Sequence, residues 1–126
     1  MGHFNVNARL TGPTGISNIV ELFVDTGATF IVLPRTIAEH LGLRATRTCT
    51  VELPGGREEE WPVAELRIAI QNREAPSLCL IVESGRPLLG MVPLESLRLA
   101  VDPVGQRLVP TKAFVMLSPR RAVVAA

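Results

Sequence analysis

The chain has 126 residues, which fits a single domain, and 47% of them are hydrophobic, enough to form a packed core. Its 13 Lys and Arg nearly balance its 12 Asp and Glu, and only 4% of its residues are aromatic. This composition argues against nucleic acid or an anionic membrane as the main partner, because both require a basic surface and single-stranded nucleic acid also requires stacking aromatics.

The sequence has no pattern typical of membrane insertion, secretion or metal binding. No apolar segment reaches the ~20 residues of a membrane helix, and the first ten residues do not resemble a signal peptide. Cys49 and Cys79 lie thirty residues apart, and with only His3 and His40 they form no ligand cluster. We therefore expect a cytoplasmic protein without metal or cofactor, in which both cysteines are buried and reduced.

Short strands with polar and apolar residues in alternation dominate the first third of the chain. Phe4, Val6, Ala8 and Leu10 alternate with polar neighbours, and Gly42 is suited to end a helix. The predicted elements are a strand at 4–10, a turn at 11–15, strands at 16–24 and 29–34, and a short helix at 35–42.

The rest of the chain continues this pattern of strands and turns. The predicted elements are a hairpin of strands 44–53 and 61–70, a turn at 71–74, a strand at 75–83, a turn at 84–87, a helix at 92–100, a turn at 101–106, and strands at 107–110 and 113–117. Many short strands with turns every ten or so residues predict a mainly β fold, a small barrel or sandwich. We expect one domain over residues 3–117 and a flexible tail over 118–126.

Asp25 is the residue that raises a question of chemistry. It ends the apolar run of Leu22–Val24 and precedes Thr26 and Gly27, after which a second apolar run begins at Phe30. An Asp before Thr-Gly can stabilise a turn or a helix start, and a three-residue match alone is weak. Because both flanking runs are typical of core strands, we expect the carboxylate of Asp25 to be buried. Burial of a carboxylate without a partner costs free energy, so its presence here suggests a chemical role.

The segment "FVDTGATFIVLP", together with a downstream "LLG", resembles the retropepsin-like aspartic proteases, the single-domain relatives of pepsin. The resemblance covers roughly residues 4–117 and implies a small closed β-barrel with one or two short helices. It also implies an aspartic endopeptidase that hydrolyses peptides with an activated water and needs no cofactor. Asp25 is then the catalytic residue, in an active-site loop with Thr26, Gly27 and Ala28. Leu88, Leu89 and Gly90 correspond to the motif that supports this loop.

The resemblance also implies a homodimer, because such chemistry needs two carboxylates that share one proton. The chain has only one other aspartate, Asp102, which stands in "VDPVG" without the following Thr-Gly. We interpret Asp102 as a turn residue. The second carboxylate is then Asp25 of another copy, brought close by a twofold axis, with the terminal strands in the interface.

The hairpin tip, Leu53, Pro54, Gly55 and Gly56, corresponds to a flap that covers a bound peptide and donates backbone hydrogen bonds to it. Gly-Gly is also common in ordinary surface turns. Glu58, Glu59 and Glu60 are typical of a solvated face, although they could instead favour basic substrates. Trp61 is expected to pack against the sheet, with a hydrogen-bond partner for its indole.

Two other functions are compatible with the same sequence. A dimeric peptide-binding or scaffold module could keep this fold and cleave little or nothing. The chain could also act on its own termini or on one dedicated partner, which would make generic peptides poor substrates. The intact Asp-Thr-Gly favours an enzyme.

Overall fold

A computed structural model describes residues 3–113 and 115 of the chain. Its elements are β1 (Asn5–Thr11), β2 (Ser17–Val24), β3 (Ile31–Pro34), α1 (Arg35–His40), β4 (Arg47–Glu52), β5 (Glu58–Ile70), β6 (Arg73–Val82), β7 (Leu88–Leu89), α2 (Met91–Leu97), β8 (Leu99–Asp102) and β9 (Arg107–Pro110). Neither of these two helices is long and apolar enough to cross a membrane.

Seven strands form one sheet in the order β1-β2-β7-β3-β6-β5-β4. An additional pairing of β1 with β5 joins six of these strands into a ring and leaves β4 outside it. The two remaining strands, β8 and β9, form a separate antiparallel hairpin. The predicted mainly β fold with two short helices is therefore confirmed.

The main core fills the ring with the inward residues of each strand. In β2, Val20, Leu22 and Val24 are buried, while the residues between them are more exposed, as the alternation predicts. A fully buried Leu such as Leu22 contributes roughly 2 kcal/mol of hydrophobic stabilisation. The short strand β3 is buried at all four positions, because the sheet is covered on both faces where β3 runs.

The hairpin of β4 and β5 differs from the prediction in both strands: β4 covers only Arg47–Glu52 of the predicted 44–53, whereas β5 is longer than predicted. β5 begins at Glu58 instead of residue 61, because Glu58 pairs with Glu52 and Glu60 pairs with Thr50 in the antiparallel ladder. The connecting loop therefore shrinks to residues 53–57. The sequence suggested a turn for the three glutamates because strand interiors seldom contain so many charges.

The predicted helix at 92–100 is wrong at its C-terminal end. α2 stops at Leu97, since Arg98 adopts a left-handed backbone conformation with φ 54°. Leu99 and Ala100 instead pair with β9, which buries Leu99 in the main core. The turn predicted at 71–74 shortens in the same way, to Gln71 and Asn72, both with positive φ.

The two cysteines differ in their environments. Cys79 is buried in β6, as expected, and burial raises the pKa of its thiol to about 12. Cys49 in β4 is only half-buried, because the outer strand of the hairpin is covered on one side only, so the prediction of a buried residue is wrong there. Of the predicted strand at 113–117, Ala113 and Val115 have no regular structure and the others lie outside the described residues, as does the tail 118–126.

Candidate active site

Asp25 is the first residue after β2, in the loop that leads to β3. Its backbone N–H donates to Leu89 O at 2.9 Å, and its own carbonyl accepts the N–H of Ala28 at 3.1 Å. The side-chain Oδ1 accepts the N–H of Gly27 at 2.9 Å, which fixes the orientation of the carboxylate. The expectation of a buried Asp25 is wrong for the single chain: Asp25 is half-buried and Gly27 is exposed, because the chain leaves the sheet after Val24.

The segment Leu88–Gly90 lies directly behind this loop. β7 inserts between β2 and β3, with Leu88 in register with Phe23 on one side and Val32 on the other. The start of α2 continues the contact, since the N–H of Met91 donates to Ala28 O at 2.9 Å. The N–H of Val92 likewise donates to Thr29 O at 2.9 Å, so the loop carbonyls satisfy helix donors that no side chain caps.

Gly90 permits this close approach. A Cβ atom at this position would lie 2.5 Å from Phe30 O, 2.6 Å from Ala28 O and 2.7 Å from the carbonyl carbon of Thr29. All three atoms belong to the backbone of the loop, so none can move aside as a flexible side chain could. The sequence Leu-Leu-Gly thus supports the loop through backbone contacts.

The side chain of Asp25 shares one face of the sheet with a row of apolar residues. Asp25 follows β2 directly and still donates its N–H to Leu89 O of β7, so the alternation of the strand places its side chain on the same side as that of Phe23, while Val24 points into the core. Residues in register also project to the same side, which extends this face from strand to strand. We call this row the apolar floor; it consists of Phe23, Leu88, Val32, Leu80 and Val63. Part of it forms a second hydrophobic cluster, apart from the main core, on which Trp61 and Val51 of the hairpin pack.

The tip of the β4–β5 hairpin is a tight turn with open space around it. The N–H of Gly56 donates to Leu53 O at 3.0 Å, and Gly55 has φ 92°, as expected for the third residue of a type II turn after Pro54. The ladder then closes through the N–H of Leu53 and Arg57 O at 2.7 Å. Within residues 3–113 and 115, and apart from the adjacent residues of the turn, no atom would lie within 4 Å of a Cβ at Gly55 or Gly56, so the tip has room to contact another molecule.

The three hairpin glutamates project to different sides. Glu58 and Glu60 lie on the face opposite the apolar floor, where Glu60 accepts hydrogen bonds from the hydroxyls of Thr48 and Thr50. Glu59 lies on the floor side, where it accepts the indole N–H of Trp61 at 2.9 Å and pairs with Arg57 at 3.2 Å. This geometry does not favour the idea that the glutamates select basic substrates.

Asp102 stabilises a turn, as predicted. Its Oδ1 accepts the N–H groups of Val104 and Gly105, each at 3.1 Å, and its Oδ2 lies 3.3 Å from Nε of Arg107. The backbone N–H of Gly105, aided by Arg107, holds the pKa of the Asp102 carboxyl below its usual range. Among the described residues, no group of three or more His, Cys, Asp or Glu side chains is arranged to hold a metal ion.

Three residues beside Asp25 were not singled out from the sequence as part of a site. The guanidinium carbon of Arg86 lies 3.9 Å from the ring centroid of Phe23, and the ring of His3 lies 5.3 Å from it, centroid to centroid. Phe23 could have been identified from the sequence, because it lies two residues before Asp25. The contact with Arg86 could not, because it depends on how β7 positions the preceding loop.

Comparisons with known proteins agree with this geometry. Residues 17–96 match the family described as "gag-polyprotein putative aspartyl protease". A retropepsin-like aspartic protease from Rickettsia conorii is 27% identical, with a TM-score of 0.56, over 79% of this chain and 76% of that chain. EIAV protease in complex with the inhibitor HBY-793 is 18% identical, with a TM-score of 0.63, over 75% of this chain and 88% of that chain. The simian foamy virus (mac) protease is 21% identical, with a TM-score of 0.54, over 73% and 92%. The curated protein sequences contain no match.

Proposed function

The chain belongs to the gag-polyprotein aspartyl protease family, and from that premise we propose that it is an aspartic endopeptidase that works as a homodimer, with one Asp25 from each copy. The observation that carries the proposal is the placement of Asp25. Its carboxylate is held by Gly27 at the end of β2, accessible to solvent, on the same face as the apolar floor.

Two such carboxylates on either side of a twofold axis hold one proton between them, because like charges so close together cannot both ionise. The ionised carboxylate takes a proton from a bound water, whose oxygen attacks the peptide carbonyl carbon. The protonated carboxyl then supplies the proton that the leaving amine requires. The reaction needs no covalent intermediate and no cofactor.

The exposure of the loop supports the dimer. Thr26 and Gly27 are exposed in the single chain, although the loop behind them is tightly hydrogen bonded to β7 and α2. An ordered and exposed loop is suited to contact its twin, and the hydroxyl of Thr26 is the group that would tie the two loops together. A twofold contact brings the same residues together from both copies without any further sequence motif.

The β4–β5 hairpin supports a peptide as the substrate. Trp61 and Val51 pack on the apolar floor and so direct the hairpin over the face that carries Asp25. A peptide that lies between the hairpin and the floor would accept and donate backbone hydrogen bonds in the manner of an added strand. Leu53–Gly56 would then act as a flap that excludes water and opens for product release.

The test is cleavage of a peptide library between pH 3 and pH 7 by the wild-type chain and by Asp25→Asn. We expect the wild type to cleave a subset of peptides, a pepstatin-type inhibitor to block cleavage, and Asp25→Asn to lose about a thousandfold or more of kcat/KM. The matched control is Asp102→Asn, which alters the chain's other aspartate and should retain activity. Cleavage that survives Asp25→Asn contradicts the mechanism, and binding of peptides without cleavage at any pH favours the scaffold module.

A further inference from the structure

We propose that Arg86 determines substrate specificity and selects peptides with an acidic side chain next to the scissile bond. The inference rests on the proposed function, because it concerns the cleft that contains Asp25. It starts from the stack of Arg86 on Phe23, in which the guanidinium carbon lies 3.9 Å from the ring centroid.

The stack lies within reach of a bound peptide. Phe23 and Asp25 project from the same face, two residues apart, which separates their Cα atoms by roughly 7 Å along the strand. A peptide side chain next to the scissile bond also projects several ångströms from the peptide backbone. A long side chain such as Glu at that position therefore reaches from the scissile carbonyl at Asp25 to the stack of Phe23 and Arg86.

Arg86 is free to bind a carboxylate. Stacking on Phe23 occupies the planar face of the guanidinium and leaves the N–H groups at its edge available for a bidentate contact. Among the described residues no carboxylate pairs with Arg86. Glu83, three residues earlier, pairs with Arg35 instead. The adjacent His3 ring adds no negative charge, so within the described part of the chain no residue supplies Arg86 with a counterion.

Glu21 and Asp25, two residues on either side of Phe23, are negative charges that an acidic peptide meets on this face, and the bidentate contact with Arg86 outweighs them. Glu59 is the hairpin glutamate on the floor side, and it is already engaged by Arg57 and Trp61. Glu58 and Glu60 project to the other side of the hairpin. Because a homodimer contains two copies of Arg86, the preference should hold on both sides of the scissile bond.

The experiment starts from a library peptide that the wild type cleaves and replaces the residue on either side of the scissile bond with Glu, Gln or Lys. We expect a kcat/KM about tenfold higher for Glu than for Gln, with a ratio that falls as salt is added. Arg86→Gln should abolish the ratio, and Arg86→Glu should reverse the order so that Lys exceeds Gln. Arg9→Gln is the matched control, because it removes an exposed arginine from β1 and should keep the wild-type ratio.

Binding of the same peptides to Asp25→Asn separates this inference from the proposed function. If the wild type cleaves no library peptide, the Glu and Gln versions are made from a peptide that it binds. Tighter binding of the Glu version to Asp25→Asn, with the difference removed when Arg86→Gln is added, then supports the specificity and not the endopeptidase. Equal kcat/KM for Glu and Gln peptides, or a preference for Glu that persists in Arg86→Gln, overturns the role of Arg86. A uniform loss of activity on all peptides in Arg86→Gln and Arg86→Glu indicates that Arg86 only packs on Phe23. This result also overturns the role of Arg86 in specificity.

Discussion

At the scale of single residues, Gly90 shows how the backbone of one motif constrains another. Its φ of −93° is open to any residue, so only the missing Cβ explains the glycine. Gly90→Ala would press a methyl group against the carbonyls of Ala28 and Phe30. We expect the free energy of unfolding to fall by about 3 kcal/mol, as for other overpacked sites, and peptide cleavage to fall with it as the loop shifts.

Urea unfolding at a fixed protein concentration measures this loss. Gly55→Ala is the control, because Gly55 has φ 92° but open space around it, so the substitution changes only backbone conformation. We expect a cost of about 1 kcal/mol for Gly55→Ala. If Gly90→Ala were as stable as the wild type, the contact between Leu88–Gly90 and the active-site loop would be looser than described.

At the scale of elements, the β8–β9 hairpin depends on Asp102. The N–H of Gly105 and the neighbouring Arg107 lower the pKa of Asp102 in the folded chain. Its ionised form therefore stabilises the fold above the unfolded pKa of about 3.9, and this contribution disappears as the pH falls through the lower folded value. We expect Asp102→Asn to lower Tm at neutral pH and the difference from wild type to shrink as the pH falls below the unfolded pKa of about 3.9.

Thermal unfolding followed by circular dichroism across this pH range checks the prediction. Glu21→Gln removes one exposed carboxylate from β2 and serves as the control. A difference between Asp102→Asn and wild type that stayed constant from neutral to acid pH would show that the ionised carboxylate does not stabilise the turn.

Elements whose apolar residues recur at a regular spacing could be predicted from the sequence. Elements whose bounds depend on pairing with a distant strand could not. The alternation in β1 and β2 and the helix before Gly42 were confirmed, because local pattern and packing agree there. Glu58–Glu60, predicted outside a strand, belong to β5 because they pair with β4. Residues 99–100, predicted as helix, belong to β8 because they pair with β9. In both cases a tertiary contact outweighed local propensity.

The same distinction applies to the residues of the candidate active site. The sequence motifs drew attention to Asp25 and to Leu88–Gly90, because short motifs keep their residue types and spacing. The contact of Arg86 with Phe23 joins two distant segments through the insertion of β7, so no local pattern reveals it. The half-exposure of Asp25 was missed for a related reason, since it depends on where the chain leaves the sheet.

At the scale of the whole molecule, the proposed mechanism requires that each active dimer contains two intact copies of Asp25. Two copies of the chain joined by a long Gly/Ser linker make this testable, because the linker keeps the pair together at any dilution. We expect the linked wild-type pair to keep its specific activity on dilution, whereas the unlinked chain loses activity as its dimer dissociates. Sedimentation of both proteins over the same concentrations relates this loss of activity to mass.

The linked pair with Asp25→Asn in one copy only is the decisive variant. The remaining carboxylate can take a proton from the water, but no protonated partner supplies one to the leaving amine, so kcat/KM should fall by roughly a thousandfold. Arg9→Gln in one copy is the control and should keep full activity, since it alters an exposed residue of β1. If the pair with a single Asp25 retained half of the wild-type activity, each copy would carry a complete site, and the twofold arrangement would have no catalytic role.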